Sequence, residues 1–583
     1  MNTFNPLSAM GLSRRRFVQG LALGGTAAAF GMLQAPRAWA QSHFAGAAAL
    51  AGTDFALEVG ATSVNYTGRP AMATTVNGGL PGPTLRWKEG SSVTLRVTNR
   101  LRVPTSIHWH GIVLPFRMDG VPGISFDGIA PGETFTYQFP VRQSGTYWYH
   151  AHSGYQEQTG VFGAIVVEPA AGERMPVDRD YVVMLNDWTD ADPASIFARL
   201  KKQSDYYNTA RPTVADLLRD AQQMGLREAL AMRKMWNAMR MNPTDLSDVS
   251  ALAYTYLLNG RAPAGNWTGL FKPGERVRLR FINGSGMTIF DVRIPGLSMK
   301  VVSADGQEIE PVDVDEFRIT PAETYDVIVT PQEDRAYTVF AQSIDRSGYA
   351  RGTLAPRLGM EADIPAMDPR VWLGMQDMMG AMSAGQQAGH DMSAMPGMQD
   401  MPGMSAMHAS KPASDKPLTT GPGVDVRVAH PRTNLDDPGV GLRDNGRRVL
   451  TYADLHTPGG PIDKREPERE ITLHLTGNME RYMWSFDGVK FSDAKPLRFK
   501  LGERLRMVLV NDSMMNHPIH LHGMWSELED PDGRFQVRKH TVNVQPAQRI
   551  SYAITADNPG SWAYHCHMLF HMEAGMFREV VVA

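Results

Sequence analysis

Residues 502–511 read GERLRMVLVN, and two other stretches read alike, GSSVTLRVTN at 90–99 and GERVRLRFIN at 274–283. In each, glycine opens a run of alternating apolar residues that closes on asparagine, the pattern of a turn feeding a strand. A second trio follows: PGETFTY at 131–137, PAETYDV at 321–327 and PAQRISY at 546–552. One pair of strand units met three times predicts an all-β chain of three β-sandwich domains. Their expected bounds are 50–170, 178–345 and 445–583.

Two segments break this pattern. Residues 192–245 read as a helical insertion in the second domain, with Leu217, Leu218, Met224, Leu230 and Met235 among its apolar positions. Its methionines (Met224, Met232, Met235, Met239, Met241) are expected to pack rather than bind metal. Residues 355–440 show no strand pattern and read as a Met-rich, flexible linker before the third domain. Twelve methionines lie between Met360 and Met407, including MPGM at 395–398 and at 401–404, with His390, Asp391 and His408 nearby. Pro, Gly, Ser and Ala fill the rest, a composition that does not build a core. Repeated M-x-x-M spacing offers several thioethers to one soft ion, so this segment is expected to capture additional copper.

The chain has 583 residues, 43% of them hydrophobic, enough for several cores. A net charge of −3 gives no electrostatic case for nucleic acid. Residues 1–40 read as a twin-arginine signal peptide. SRRRFVQ at 13–19 precedes an apolar run from Gly20 to Leu33, and Ala38-Trp39-Ala40 fits a small-x-small cleavage site. That run is too short for a stable membrane span. The expectation is export through the twin-arginine translocase to the periplasm.

The repeated strands locate the histidines. Nine residues after Asn99 stands His108, and nine after Asn511 stands His520; His110 and His522 follow two further on, each before glycine. Gly145 leads to His150-Ala151-His152, and Gly560 leads at the same spacing to His565-Cys566-His567. The first and third domains thus carry matching His-x-His pairs, eight histidines in all, while no histidine lies between His152 and His390. Residues two apart on a strand share a face, so both histidines of a pair can reach adjacent metals. Eight imidazoles suffice for a three-metal cluster at the interface of the two domains. Cys566 is the single cysteine, with His571 and Met576 beyond it: thiolate, imidazole and thioether, the donor set of a blue-copper site. His565 and His567 would point away from that copper, and as covalent neighbours of Cys566 they offer a through-bond path to the cluster. His43, His430, His456, His474 and His540 have no motif around them and read as surface or structural residues.

Four motifs together carry a resemblance: HWHG at 108–111, HAH at 150–152, HPIHLHG at 517–523 and HCHMLFHMEAGM at 565–576. The sequence resembles the multicopper oxidase family. More narrowly it resembles the CopA/PcoA-type periplasmic copper-resistance oxidases, on the leader, the stretch FDGIAPGETF at 126–135 and the Met-rich segment. The resemblance implies cupredoxin-like Greek-key sandwiches and four copper ions. It places a type 1 copper on His517, Cys566, His571 and axial Met576, and a type 2 copper on His108 and His520. It places one type 3 copper on His110, His150 and His567, and the other on His152, His522 and His565. Asp119 matches the carboxylate near the cluster, an alternative being a turn residue before Gly120. Glu573 is a second catalytic candidate, but the last motif has Met572 where some cuprous oxidases carry an acid. The implied reaction draws electrons from Cu(I), or from a phenolic donor as in a laccase, and reduces O2 to water. The purpose would be copper resistance, in concert with other periplasmic copper-resistance proteins. A copper-sequestering protein with a secondary oxidase centre is the alternative outside enzymes.

Overall fold

A computed structural model describes residues 49–238, 241–380 and 420–583 of the chain. The leader and most of the methionine-rich stretch lie outside the described residues. Six sheets form three pairs in chain order. The three opening motifs fall on strands Ser92–Asn99, Val277–Asn283 and Arg504–Asn511. Each pairs in parallel with the first long strand of its own domain, namely Asp54–Val64, Arg179–Trp188 and Arg469–Asn478. Each also pairs antiparallel with the strand of the second motif. Parallel neighbours require a crossover between sheets, which gives the sandwich architecture expected from the sequence.

The asparagine closing each motif has a shared task. Asn99, Asn283 and Asn511 are fully buried. Each carboxamide Nδ2 donates to two carbonyls from different loops: Val103 and Ile129, Thr288 and Ile319, Met515 and Val544. Each Oδ1 accepts the backbone N–H two residues on. A side chain with two donors and an acceptor is what three unpaired backbone groups at a sandwich corner require.

Burial alternates along Ser92–Asn99, whereas Val277–Asn283 is buried throughout. Alternation marks a sheet with one face in water; the second-domain sheet is covered on both. Its charged residues are therefore paired: Arg280 reaches Asp180 and Asp326, and Thr146 of the first domain. Between the second and third domains, Lys539 is fully buried against Asp305 and Glu323, at 3.0 and 3.1 Å.

The helical insertion interrupts the hairpin of Arg179–Trp188 and Thr255–Leu258. It comprises Pro193–Leu200, capped by Asp192, Val214–Met224, opened by a Thr213–Asp216 capping box, and Leu226–Ala238. Met235 packs on the core, but Leu218, Met224 and Leu230 stay exposed, because the last two helices pack mainly on each other. The first helix crosses to the third domain, where Lys201 donates to the Tyr482 carbonyl at 2.7 Å and Phe197 meets Phe570. Among the described residues, no helix is long and apolar enough to cross a membrane.

Candidate metal centres

Strand pairing brings the eight histidines together. His108 lies opposite His150, and His520 opposite His565, in equivalent register. His108 stacks on His522 with ring centroids 4.0 Å apart, and His520 stacks on His110 at 3.8 Å. These contacts exchange under the operation that relates the first domain to the third. His108 Nδ1–H donates to the Asp119 carbonyl at 2.7 Å, and His520 Nδ1–H to the His540 carbonyl at 2.6 Å. His150 and His565 each donate to the carbonyl of the following residue at 3.0 Å. Carbonyls only accept, so these bonds leave the Nε2 atoms as lone-pair donors.

The donor set fits metal. His108, His150 and His520 have Nε2 atoms that are buried without partners, and His110 has such an Nδ1. His522 gives its Nδ1–H to Asp119 Oδ2 at 2.9 Å, so its Nε2 is also a lone pair, 3.1 Å from that of His565. Two opposed lone pairs at that distance call for a cation between them. His152, His522 and His565 hold their ring nitrogens within 4.8 Å of one another, as do His108, His520 and His522, and His108, His110 and His150. His567 lies beside His110 and His150, at centroid distances of 4.8 and 4.9 Å. Burial, and then the neighbouring rings, hold His110, His150, His520, His522 and His567 well below the usual imidazole range, which keeps them neutral and ready to ligate.

The second centre lies on the other face of the same strand. Cys566 Sγ is 3.6 Å from His517 Nδ1 and 3.7 Å from His571 Nδ1, and these two nitrogens are 3.1 Å apart. His571 Nε2–H donates to Asp248 at 2.7 Å, and His517 Nε2 lies 2.7 Å from Ser513 Oγ. Met576 is fully buried, and its carbonyl accepts the Cys566 N–H. Burial pushes the Cys566 thiol up; a cation at this position would favour the thiolate.

Of the two acids expected near the cluster, the structure brings in one. Asp119 is buried, 3.3 Å from His108 Nδ1 as well as bonded to His522. Glu573 is exposed at the end of the short helix Leu569–Glu573, and no hydrogen bond joins it to a cluster histidine among the described residues. Three groups were invisible in the sequence. Asp248 follows the helical insertion and reaches a third-domain histidine. His540, without a motif, is buried with Nδ1 3.2 Å from His110 Nε2. Glu157 sits in the loop after His152, with Oε2 2.7 Å from His150 Nδ1. The first two act through contacts between segments far apart in the chain, and Glu157 lies close to His150 but in no recognisable motif.

Three family models, each described as multicopper oxidase, match residues 58–172, 179–357 and 464–583. The chain belongs to the multicopper oxidase family. This oxidase is 56% identical to Copper resistance protein A of Escherichia coli, over 98% of the chain and 99% of that protein. It is 57% identical to a Copper resistance protein A homolog of Pseudomonas syringae pv. tomato, with the same coverage. Among solved structures it is similar in fold to Fet3p, a multicopper oxidase that functions in iron import, with a TM-score of 0.64 at 19% identity, covering 91% of this chain and 90% of that one. Members of the family are oxidoreductases that use O2, and so is this chain.

Proposed function

We propose that this oxidase takes single electrons from Cu(I) in the periplasm, serving copper resistance, and passes them to a cluster that reduces O2: 4 Cu(I) + O2 + 4 H+ gives 4 Cu(II) + 2 H2O. Full-length similarity to copper resistance proteins supports the purpose, and the leader at 1–40 supports the compartment. Four coppers are assigned. His517, Cys566, His571 and Met576 hold type 1; His108 and His520 hold type 2. His110, His150 and His567, and His152, His522 and His565, hold the type 3 pair. Bound there, copper supplies one-electron entry at the thiolate and O2 reduction at the histidines.

The observation that carries the reading is covalent. Cys566 lies between His565 and His567, so the entry site and the cluster share three consecutive residues. The chain's own groups do the rest. Asp119 holds His522 by its carboxylate and His108 by its backbone carbonyl, and that carboxylate is the group placed to hand on protons. Asp248 accepts from both His571 and Tyr482, at 2.7 and 2.8 Å, fixing the ring through which electrons enter. Trp484 covers that ring at 4.2 Å, and His571 is fully buried. A bulky phenol finds no open face of His571, which favours a small ionic donor over a laccase substrate.

The test measures O2 uptake with Cu(I) and with a bulky phenol, for the full chain and for one lacking residues 383–418. Uptake with Cu(I) that exceeds uptake with phenol is expected, and the deletion should raise the Cu(I) concentration needed. Uptake with phenol alone would replace the reading by a laccase-like one. Stoichiometric copper binding without uptake would replace it by sequestration.

A further inference from the structure

Glu157 stands seven residues after His150, and Met572 stands seven after His565. Since His150 and His565 occupy equivalent registers, these two side chains hold matching places on the two arms of the cluster. They differ in kind. Met572 is half-buried against Val121, Ala563 and Phe577. Glu157 is 4% exposed and turned inward, with Oε2 2.7 Å from His150 Nδ1 and Oε1 3.9 Å from His567 Nδ1. Neither that Oε1 nor that Nδ1 has a hydrogen-bond partner among the described residues.

The loop is built to hold the carboxylate there. Gln156 accepts the Thr105 hydroxyl and donates to the Pro104 carbonyl. Gln158 donates to Asp187 of the second domain and accepts from the Tyr254 hydroxyl at 2.8 Å. The residues on both sides of Glu157 are thus pinned, one within its own domain and one to the next.

We propose that Glu157 is a positioning residue for His150 and His567, an inference resting on the four-copper reading, which assigns both to one type 3 copper. His150 Nδ1–H has two acceptors, the Ala151 carbonyl and a carboxylate, where His565 has only a carbonyl. A charged acceptor makes the stronger bond and holds the ring with Nε2 towards the metal. By facing His567 as well, Glu157 spans ligands from the first and third domains, as Asp119 spans His108 and His522. Each type 3 copper then has its own first-domain carboxylate behind it.

The experiment uses the full-length, copper-loaded protein as wild type, Glu157→Leu and Glu157→Gln. Copper per chain, the blue absorbance and the EPR spectrum are measured. Glu157→Leu is expected to keep the blue band and its EPR signal. It should bind the type 3 copper about 10- to 100-fold more weakly, seen as lost copper or as a newly EPR-visible type 3 ion. Glu157→Gln, whose carboxamide oxygen still accepts from His150, should keep the pair EPR-silent. A Glu157→Leu protein with full copper and an unchanged silent pair would overturn the assignment. So would loss of all copper together with the blue band, which would place Glu157 in the fold rather than behind one ion. Wild type without any EPR-silent pair would sink the four-copper reading instead, so the two failures are distinguishable.

Discussion

The arms His150-Ala151-His152 and His565-Cys566-His567 come from one structural plan and do different work. Their leading histidines match in geometry: His150 and His565 have equivalent cross-strand partners, His108 and His520, and the same bond to the next carbonyl. Their centres do not. Where the third domain gathers His517, Cys566 and His571, the first has Thr105, Ala151 and Gln156 at the matching positions. Thr105 Oγ1 donates to Gln156 Oε1 at 2.5 Å, so a neutral hydrogen bond closes the space that thiolate and imidazoles line in the third domain. The second domain goes further. Its strand register puts Phe290 at the His517 position, Arg293 at that of His520, and Phe340-Ala341-Gln342 at that of His565-Cys566-His567. The backbone plan therefore tolerates a metal site, a hydrogen-bonded plug or an apolar and ion-paired filling, and side-chain chemistry alone decides which.

The largest effect should come from erasing this difference. Cys566→Ser is expected to abolish the blue colour and all turnover, because no other thiolate exists to receive the electron. Transplanting the first-domain plug (His517→Thr, Cys566→Ala, His571→Gln) should do the same while the chain still folds and the cluster keeps its copper. Visible absorbance and copper per chain check both. Persisting blue colour in Cys566→Ser would break the assignment of the centre. A transplant that cannot fold would show that the two arms are less alike than their register.

A smaller effect separates Asp119 from His540, which hold corresponding posts. Each lends a backbone carbonyl to one histidine, His108 or His520, and places a side chain against the other domain's histidine, His522 or His110. Only Asp119 is a carboxylate. Asp119→Asn is expected to lower O2 turnover by about 10- to 100-fold with the blue band unchanged, and His540→Asn to lower it less. Equal losses, measured as steady-state O2 uptake, would mean the post matters and the charge does not.

What the sequence made legible was whatever repeats or clusters locally. Alternating strands, the closing asparagines and His-x-His pairs keep their spacing within a few residues, so fold class and histidine grouping could be read. Asp248 and His540 could not be, because each acts on a histidine far from it in the chain, and Glu157, though only seven residues from His150, sits in no motif that marks it. Asp248 reaches His571 from the far side of the helical insertion. Glu573 shows the complementary case: it is near His571 in sequence, yet lies on the exposed end of a helix. The insertion's leucines are among its apolar positions, yet Leu218 and Leu230 remain exposed, because its last two helices pack mainly on each other rather than on the sheets.

The smallest effect tests the frame rather than the metal. Asn283→Ala would strand the Thr288 and Ile319 carbonyls and the Ser285 N–H, all buried. Unpaired buried groups cost about 1–3 kcal/mol each at most, so the unfolding midpoint should fall by several degrees. The blue band should stay as it is, since the second domain holds no ligand there. Asn511→Ala removes the same ties and one more: Asn511 Oδ1 accepts the Ser513 hydroxyl, and that oxygen faces His517 Nε2. It should destabilise to a similar degree and also shift the blue band by letting His517 turn. Thermal unfolding followed alongside visible absorbance separates the two. If Asn283→Ala moved the colour as much as Asn511→Ala, the frame and the site would be one cooperative unit, and the independence of side-chain chemistry from the shared backbone would fail.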